Sequence, residues 1–136
     1  MTLPAEELDR WILPLEGWAV ERCAISEGFL VELKSGRQRG RLTVQGTFIL
    51  KAGKGRSTMH HSPPSSMAPA LALLGKTVES AVAMKDGRLE LKLSGATSIS
   101  VKPDRSSEAW IVTVGDQLAV VCEPGGRVAV WVEDEP

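Results

Sequence analysis

Polar and apolar residues alternate with a period of two over most of this chain, and short turn sequences interrupt the alternation. In residues 88–93, leucine occupies every second position and charged residues occupy the positions between. Side chains two apart share one face of an extended strand, whereas a helical face recurs every 3.6 residues. The pattern therefore predicts a mainly β protein of short, half-buried strands.

Two stretches, residues 17–50 and 75–102, repeat one order of strands and turns. Each contains a Val-Glu pair near its start, an acidic residue followed by glycine, an alternating strand and a Ser-Gly turn. Closing strands follow over residues 108–132. Short strands between frequent turns are typical of sandwiches and barrels. We predict an antiparallel β-sandwich or open barrel of about nine short strands from two similar β-meander halves, which pack face to face or join into one barrel.

The start of the chain follows a different period. Leu8, Trp11 and Ile12 recur at the spacing of one helical face. Pro14 disfavours a helical conformation at the residue before it. We therefore predict a short N-terminal helix over residues 1–13.

The middle of the chain loses the alternation altogether. Residues 51–69 are rich in Gly, Ser and Pro and poor in apolar residues, which predicts a flexible loop. One or two helical turns follow and end at Gly75. Residues 133–136 close the chain as an acidic tail.

Length and composition indicate one folded domain, residues 1–136, because 136 residues with 43% hydrophobic and 24% charged residues are ordinary for a globular chain. No apolar run is long enough to span a membrane, and the acidic N-terminus is not typical of a secretory signal. We therefore expect a cytoplasmic protein with no membrane partner. Cys23 and Cys122 are expected to be reduced, buried thiols.

The formal net charge of −1 conceals an uneven distribution. Residues 1–32 carry seven acidic and two basic residues, whereas residues 33–78 carry eight basic residues and no acidic one. The basic residues that surround the first Ser-Gly turn and begin the predicted loop are Lys34, Arg37, Arg39, Arg41, Lys51, Lys54 and Arg56. Clustered Arg and Lys bind anionic groups. This segment is therefore the candidate binding site for an anionic partner.

Three interpretations of the basic segment remain open. It could dock an anionic protein partner or an acidic face of a second copy, which makes a homodimer possible; a homodimer could also form through an edge strand. It could bind nucleic acid, but Phe29 and Phe48 fall at core-facing positions and leave no exposed ring for base stacking. It could also be a solvated surface without a binding role.

Two smaller groups of residues are candidates for chemistry. Asp104, Arg105 and Glu108 cluster in a predicted turn, where two carboxylates could act as an acid–base pair. His60-His61 is the histidine site, and adjacent residues of an extended chain point to opposite sides, so we expect neither a metal site nor a catalytic role there. We find no nucleophile–base motif and no phosphate-binding loop, and we predict no catalytic residue, metal or cofactor.

Several separated motifs resemble a known family. They are Leu13-Pro14-Leu15-Glu16-Gly17, Leu73-Leu74-Gly75 with Val78, Glu108-Ala109-Trp110, Cys122-Glu123-Pro124-Gly125-Gly126 and Ala129-Val130-Trp131. Together they resemble an uncharacterised actinobacterial domain family of unknown function. The resemblance covers most of the chain and implies a small cytosolic domain, but it implies no reaction. From the residues, we expect Trp110 and Trp131 to pack in the core or at the sheet junction, and Pro124-Gly125-Gly126 to form a turn.

The leading functional hypothesis is a non-catalytic binding or protein-interaction module, of an accessory or immunity type. One alternative is an enzyme with a dispersed acid–base site around Asp104, Glu108, His60 and His61. The other is a nucleic-acid-binding accessory that uses residues 34–56.

Overall fold

The computed structural model describes residues 3–133. They form two antiparallel β-sheets that enclose one hydrophobic core, which confirms the predicted sandwich over the open barrel, and they contain thirteen strands where about nine were predicted. The elements are β1 (Ala5–Glu6), β2 (Arg10–Ile12), β3 (Ala19–Ile25), β4 (Phe29–Ser35), β5 (Gln38–Val44), β6 (Phe48–Ala52), β7 (Gly55–Met59), a 3-10 helix (Pro64–Leu73), β8 (Val78–Met84), β9 (Leu89–Leu93), β10 (Thr97–Val101), β11 (Trp110–Val114), β12 (Leu118–Cys122) and β13 (Val128–Val132).

The strand order shows how the two sheets are assembled. Sheet A has the order β1-β2-β8-β9-β10-β6-β7, and sheet B has the order β13-β12-β11-β5-β4-β3. The meander β3-β4-β5 therefore lies in sheet B, and the chain then crosses to sheet A to place β6 beside β10. The meander β8-β9-β10 lies in sheet A, and the chain then crosses to sheet B to place β11 beside β5. Each meander therefore ends with a crossover to the other sheet: the first half crosses from sheet B to sheet A, and the second half crosses from sheet A to sheet B.

Backbone hydrogen bonds join the starts of the two meanders in matching pairs. The bonds are Gly17 N–H to Val78 C=O (2.8 Å), Gly75 N–H to Val20 C=O (3.0 Å), Val20 N–H to Lys76 C=O (2.8 Å) and Val78 N–H to Trp18 C=O (2.7 Å). They flank an antiparallel bridge between Ala19 and Thr77. Each bond has a counterpart 58 positions along the chain, so the sequence repeat coincides with an approximate twofold relation between the halves.

A β-bulge marks the same place in each half. The register of β3 against β4 shifts between Val20 and Arg22, and that of β8 against β9 shifts between Val78 and Ser80. A bulge adds one unpaired residue to its strand and bends it. The Val-Glu pair that the sequence repeats is therefore a bulge in both meanders.

Alternation determines the core as predicted. Phe29 of β4 and Phe48 of β6 are buried and stack across the two sheets, with ring centroids 5.2 Å apart. Trp110 is fully buried, and its indole Nε1–H donates to the Gly87 carbonyl oxygen at 2.9 Å. Cys122 is buried and Cys23 is half-buried, and neither forms a disulfide.

The predicted N-terminal helix over residues 1–13 is wrong. The described part of this segment forms the short strands β1 and β2, and Trp11 of β2 lies opposite Ala83 of β8. Leu8, which the helical spacing placed on the apolar face, is 96% exposed. Pairing with β8 supplies partners for the backbone groups of β2, and this tertiary gain outweighs a weak local helical preference.

The predicted flexible loop over residues 51–69 is also wrong. Strand β6 continues to Ala52, turns at Gly53 (φ +60°) and returns as β7, and the 3-10 helix begins at Pro64. The strand was missed because β7 is an edge strand whose residues are mostly exposed, so its pairing needs no apolar alternation. The helix buries Met67, Ala70 and Leu73 against the core.

The acidic tail over residues 133–136 lies outside the described residues except for Glu133. Within the described part, no helix has the length and apolar character that crossing a bilayer requires.

Candidate binding surfaces

The basic segment is divided between the two sheets. Lys34, Arg37, Arg39 and Arg41 belong to the β4–β5 hairpin of sheet B, whereas Lys51, Lys54 and Arg56 belong to the β6–β7 hairpin of sheet A. The outer faces of the two hairpins lie on opposite sides of the shared core. The seven residues therefore do not form the single patch that their closeness in sequence suggests.

The β4–β5 hairpin has carboxylate partners. Its ion pairs join Lys34 to Glu21 (3.6 Å), Arg39 to Glu21 (3.5 Å) and Arg41 to Glu32 (3.4 Å), and Glu32 also holds Arg22 of β3 at 3.0 Å. Glu21 is the bulge residue of β3, and Glu32 lies directly opposite Arg41. Arg37 lies exposed at the hairpin turn. Most of the positive charge of this hairpin is therefore balanced within the fold.

The β6–β7 hairpin lacks such partners. Lys51 of β6 lies directly opposite Arg56 of β7, and on the other side Ser98 of β10 separates Lys51 from Lys92 of β9. We call Lys51, Arg56 and Lys92 the basic row. Of the ion pairs formed within residues 3–133, none includes a member of the basic row or Lys54. The positive charge of this hairpin is therefore left for solvent or a ligand.

A shallow depression of about 200 Å³ adjoins the basic row. Lys51 and Arg56 line it together with Arg88, Lys102 and Glu90. The Glu90 carboxylate accepts a hydrogen bond from the Ser100 hydroxyl at 2.7 Å. Arg88 already pairs with Asp86 at 2.9 Å, so three cations that form no ion pair within residues 3–133, together with the Glu90 carboxylate, surround the depression. The remaining excess of positive charge favours an anionic occupant.

The Asp104 carboxylate is hydrogen-bonded within its own turn. It accepts hydrogen bonds from the Ser106 N–H (2.8 Å), the Ser106 hydroxyl (3.0 Å) and the Ser107 N–H (3.3 Å). The bonds from Ser106 hold the pKa of Asp104 below its usual range. A general acid at neutral pH needs the opposite shift.

The predicted acid–base group is not assembled in one place. Asp104 lines a cleft of about 290 Å³ at the ends of β6 and β10, but Glu108, His60 and His61 are not among the lining residues. Arg105 and Glu108 lie exposed in the same loop. The geometry therefore gives no support to a site that combines these carboxylates with a histidine.

The two histidines do not point to opposite sides. Their rings stack with centroids 4.3 Å apart, and His60 Nδ1 accepts the Ser62 N–H at 3.1 Å. The expectation was wrong because the chain turns here instead of remaining extended. Among residues 3–133, no three His, Cys, Asp or Glu side chains are grouped closely enough to hold a metal ion.

Two predicted turns pack against each other beside Trp110. A Cβ at Gly87 would lie 2.7 Å from the Gly126 carbonyl oxygen, and one at Gly126 would lie 2.7 Å from the Asp86 carbonyl oxygen. Both glycines have positive φ, +106° and +104°. Pro124-Gly125-Gly126 is therefore a turn, as predicted, and its last glycine allows close backbone contact with the Asp86-Gly87 turn.

Trp131 does not pack in the core, contrary to the expectation. It is 63% exposed on the outer face of β13, because the inward positions of this strand are Val128 and Val130. Beside β13 runs an open groove of about 480 Å³, lined by Leu3, Pro4, Trp11, Arg127 and the five residues of β13. Sequence reasoning assigned Trp131 to the core on residue type, although its parity within 128–132 already indicated the outer face.

The comparisons with known proteins place the chain in a family. The model of the family of unknown function DUF6188 matches residues 11–132. The chain belongs to DUF6188. This confirms the resemblance to an uncharacterised family, and the matched range includes the Trp110, Pro124-Gly125-Gly126 and Trp131 motifs. No curated protein and no solved structure matches this DUF6188 chain.

Proposed function

We propose that this protein is a non-catalytic binding module whose basic row docks an acidic segment of a partner protein. The observation that carries the proposal is the direct pairing of Lys51 with Arg56 across β6 and β7, where neither cation forms an ion pair within residues 3–133. Like charges directly opposite each other destabilise a β-sheet. A bound carboxylate would replace this repulsion with attraction.

The spacing of the basic row suits an extended acidic peptide. Neighbouring strands lie about 4.8 Å apart, so Lys92 and Arg56 are separated by about 14 Å across β9, β10, β6 and β7. In an extended peptide, side chains on one face repeat every ~6.8 Å. Two or three acidic residues at alternate positions would therefore reach the cations of the row.

The surroundings of the basic row favour a protein partner over nucleic acid. Single-stranded nucleic acids bind through exposed aromatic rings as well as through cations. The outer face of β9, β10, β6 and β7 carries no aromatic side chain, since Phe48 is buried in the core. The exposed Trp131 belongs to the other sheet. The basic row thus supplies charge without a stacking platform.

The test compares the two hairpins with a synthetic oligoglutamate peptide as the probe. Lys51→Ala combined with Arg56→Ala should weaken binding about tenfold or more, because two charge-assisted contacts are lost. The matched control combines Lys34→Ala with Arg39→Ala, which removes equal charge from the ion-paired hairpin. The control should change the dissociation constant less than about twofold.

Equal losses in the two double variants would show that the peptide responds to net charge alone and would overturn the proposal. Failure of the wild-type protein to bind the peptide at low salt would do the same. A single-stranded RNA oligomer serves as the competing probe. Tighter binding of that oligomer, retained at about 200 mM salt, would replace the protein partner with nucleic acid.

The proposal also covers the cellular location and the origin of the protein. We propose a cytoplasmic accessory role in an actinobacterial cell, supported by the resemblance of the motifs to an actinobacterial family. An immunity-type protein that neutralises an acidic partner would use the basic row in this way.

A further inference from the structure

A second surface, independent of the basic row, carries an inference about self-association. Among residues 3–133, strand β13 forms an edge of sheet B, because β12 pairs with one side of it and no strand pairs with the other. Exposed edges with unpaired backbone groups are templates for pairing with another chain, and proteins often protect them with lysine, proline or a covering loop. The run 128–132, Val-Ala-Val-Trp-Val, contains none of these protective residues.

The hydrogen bonds at the two ends of β13 show which residues face the open side. The Arg127 carbonyl oxygen accepts the Glu123 N–H, and the Glu133 N–H donates to the Gln117 carbonyl oxygen. Bonding alternates along an antiparallel strand, so the odd-numbered residues of β13 bond to β12. The N–H and C=O groups of Val128, Val130 and Val132 therefore point away from the sheet. No backbone group elsewhere in residues 3–133 bonds to them.

We propose that β13 pairs antiparallel with β13 of a second copy of this chain, so that two sheets B join into one continuous sheet. The pairing is centred on Val130, which lies opposite its own symmetry mate. Val128 then lies opposite Val132, and these residues exchange the backbone hydrogen bonds that the open edge provides. The Val128 and Val130 side chains pack against the core, and the whole strand borders the groove that Leu3 and Trp11 also line.

The same register matches the remaining residues of the strand in size and charge. It places the small Ala129 opposite Trp131 on the outer face, and Arg127 opposite Glu133, with each contact made twice by symmetry. Arg127 is 86% exposed and holds Glu123 only at 3.7 Å, so its guanidinium is available to a second chain. The strand is therefore complementary to itself in charge, side-chain volume and hydrogen bonding, which a twofold interface requires.

The first test is the mass of the wild-type protein by sedimentation from about 1 µM to about 1 mM, a range that covers the affinities of small interfaces. A reversible dimer is expected. Val130→Pro should weaken it about tenfold or more, since the proline removes a donor that faces outward. Val130→Thr keeps the donor and the branched shape and should leave the dimer within about threefold. A monomer throughout the range would overturn the proposal.

Charge reversal tests the register itself. Arg127→Glu alone places like charges opposite Glu133 twice, and Glu133→Arg alone does the same opposite Arg127, so each variant should dimerise about tenfold more weakly. Mixing the two variants restores both attractive pairs and should produce a heterodimer as tight as the wild-type homodimer. When monomeric, Glu133→Arg should keep the wild-type melting temperature, and Arg127→Glu should lower it only slightly, because residue 127 also contacts Glu123 within the same chain. Singles that dimerise normally, or a mixture that does not associate, would overturn the register.

Discussion

The β4–β5 and β6–β7 hairpins are neighbours in sequence and are similarly basic, yet the fold treats their charge in opposite ways. Arg41 in sheet B lies opposite Glu32, whereas Lys51 in sheet A lies opposite Arg56. Beside the first hairpin, β3 contributes Glu21 at its bulge. Beside the second, β10 contributes Ser98. Charge composition along the chain is therefore a poor guide to surface potential, because the adjacent strand decides whether a cation is neutralised.

The largest expected effect comes from removing the aromatic contact in the core that joins the two hairpins. Phe29 of β4 stacks on Phe48 of β6 and joins the hairpins through the core. Phe48→Ala should lower the free energy of unfolding by about 3–5 kcal/mol, because it removes a buried ring and leaves a cavity. Urea denaturation measures the change.

Phe48→Leu is the control for that variant, since it keeps most of the apolar volume and should destabilise the protein by about 1–2 kcal/mol. A loss below about 1 kcal/mol for Phe48→Ala would mean that the ring is not a core contact between the hairpins.

A moderate effect is expected from removing the carboxylates of the first hairpin. Glu21→Gln combined with Glu32→Gln leaves Lys34, Arg39 and Arg41 without their partners. This hairpin should then bind the oligoglutamate peptide, and total binding should rise several-fold, while stability falls by no more than about 1 kcal/mol per pair.

Titration calorimetry at low salt measures this gain. Unchanged binding would indicate that the surface shape of the β6–β7 hairpin matters in addition to its free charge. The double variant Glu16→Gln, Glu108→Gln serves as the control, because it changes net charge equally and removes two exposed carboxylates that form no ion pair within residues 3–133.

The smallest expected change in stability is a gain, and it is accompanied by a loss of peptide binding. Lys51→Glu places a carboxylate opposite Arg56, and the free energy of unfolding should rise by about 0.5 kcal/mol because repulsion becomes attraction. The same change should abolish binding of the acidic peptide. Lys54→Glu, at the turn between the strands, should give a smaller change in stability. Thermal melting at low and high salt distinguishes the two, and a destabilised Lys51→Glu variant would contradict the assigned pairing.

The accuracy of the sequence predictions varied with the kind of residue. Alternation correctly placed Phe29 and Phe48 in the core, because a period of two assigns each side chain to a face. Residue type correctly placed Trp110 there and failed for Trp131. It failed for β7, since an edge strand is stabilised by its backbone pairing with β6 and does not require apolar side chains. It also failed for residues 1–13, where pairing with β8 overrides the local period.

The predictions for the candidate site were likewise correct where they depended on local sequence and wrong where they depended on strand pairing. The sequence correctly identified Lys51 and Arg56 as part of a basic segment, and it placed them in a loop instead of on paired strands. It contained no information that Lys92 would join them, because Lys92 follows 36 positions after Arg56 and is brought close only by the order β9-β10-β6-β7. The open edge of β13 could not be seen either, since edge position depends on strand order.

By itself, the amino-acid sequence determined the β class, the faces of most strands, the turns and the repeat of two meanders, because all of these depend on residues close together in the chain. Only the tertiary structure decided which strands became neighbours. That decision neutralises one basic hairpin, leaves the other charged and exposes β13 at an edge. The physical reason is that alternation specifies which face a side chain takes, whereas electrostatic pairing and edge exposure depend on the strand that lies about 4.8 Å away.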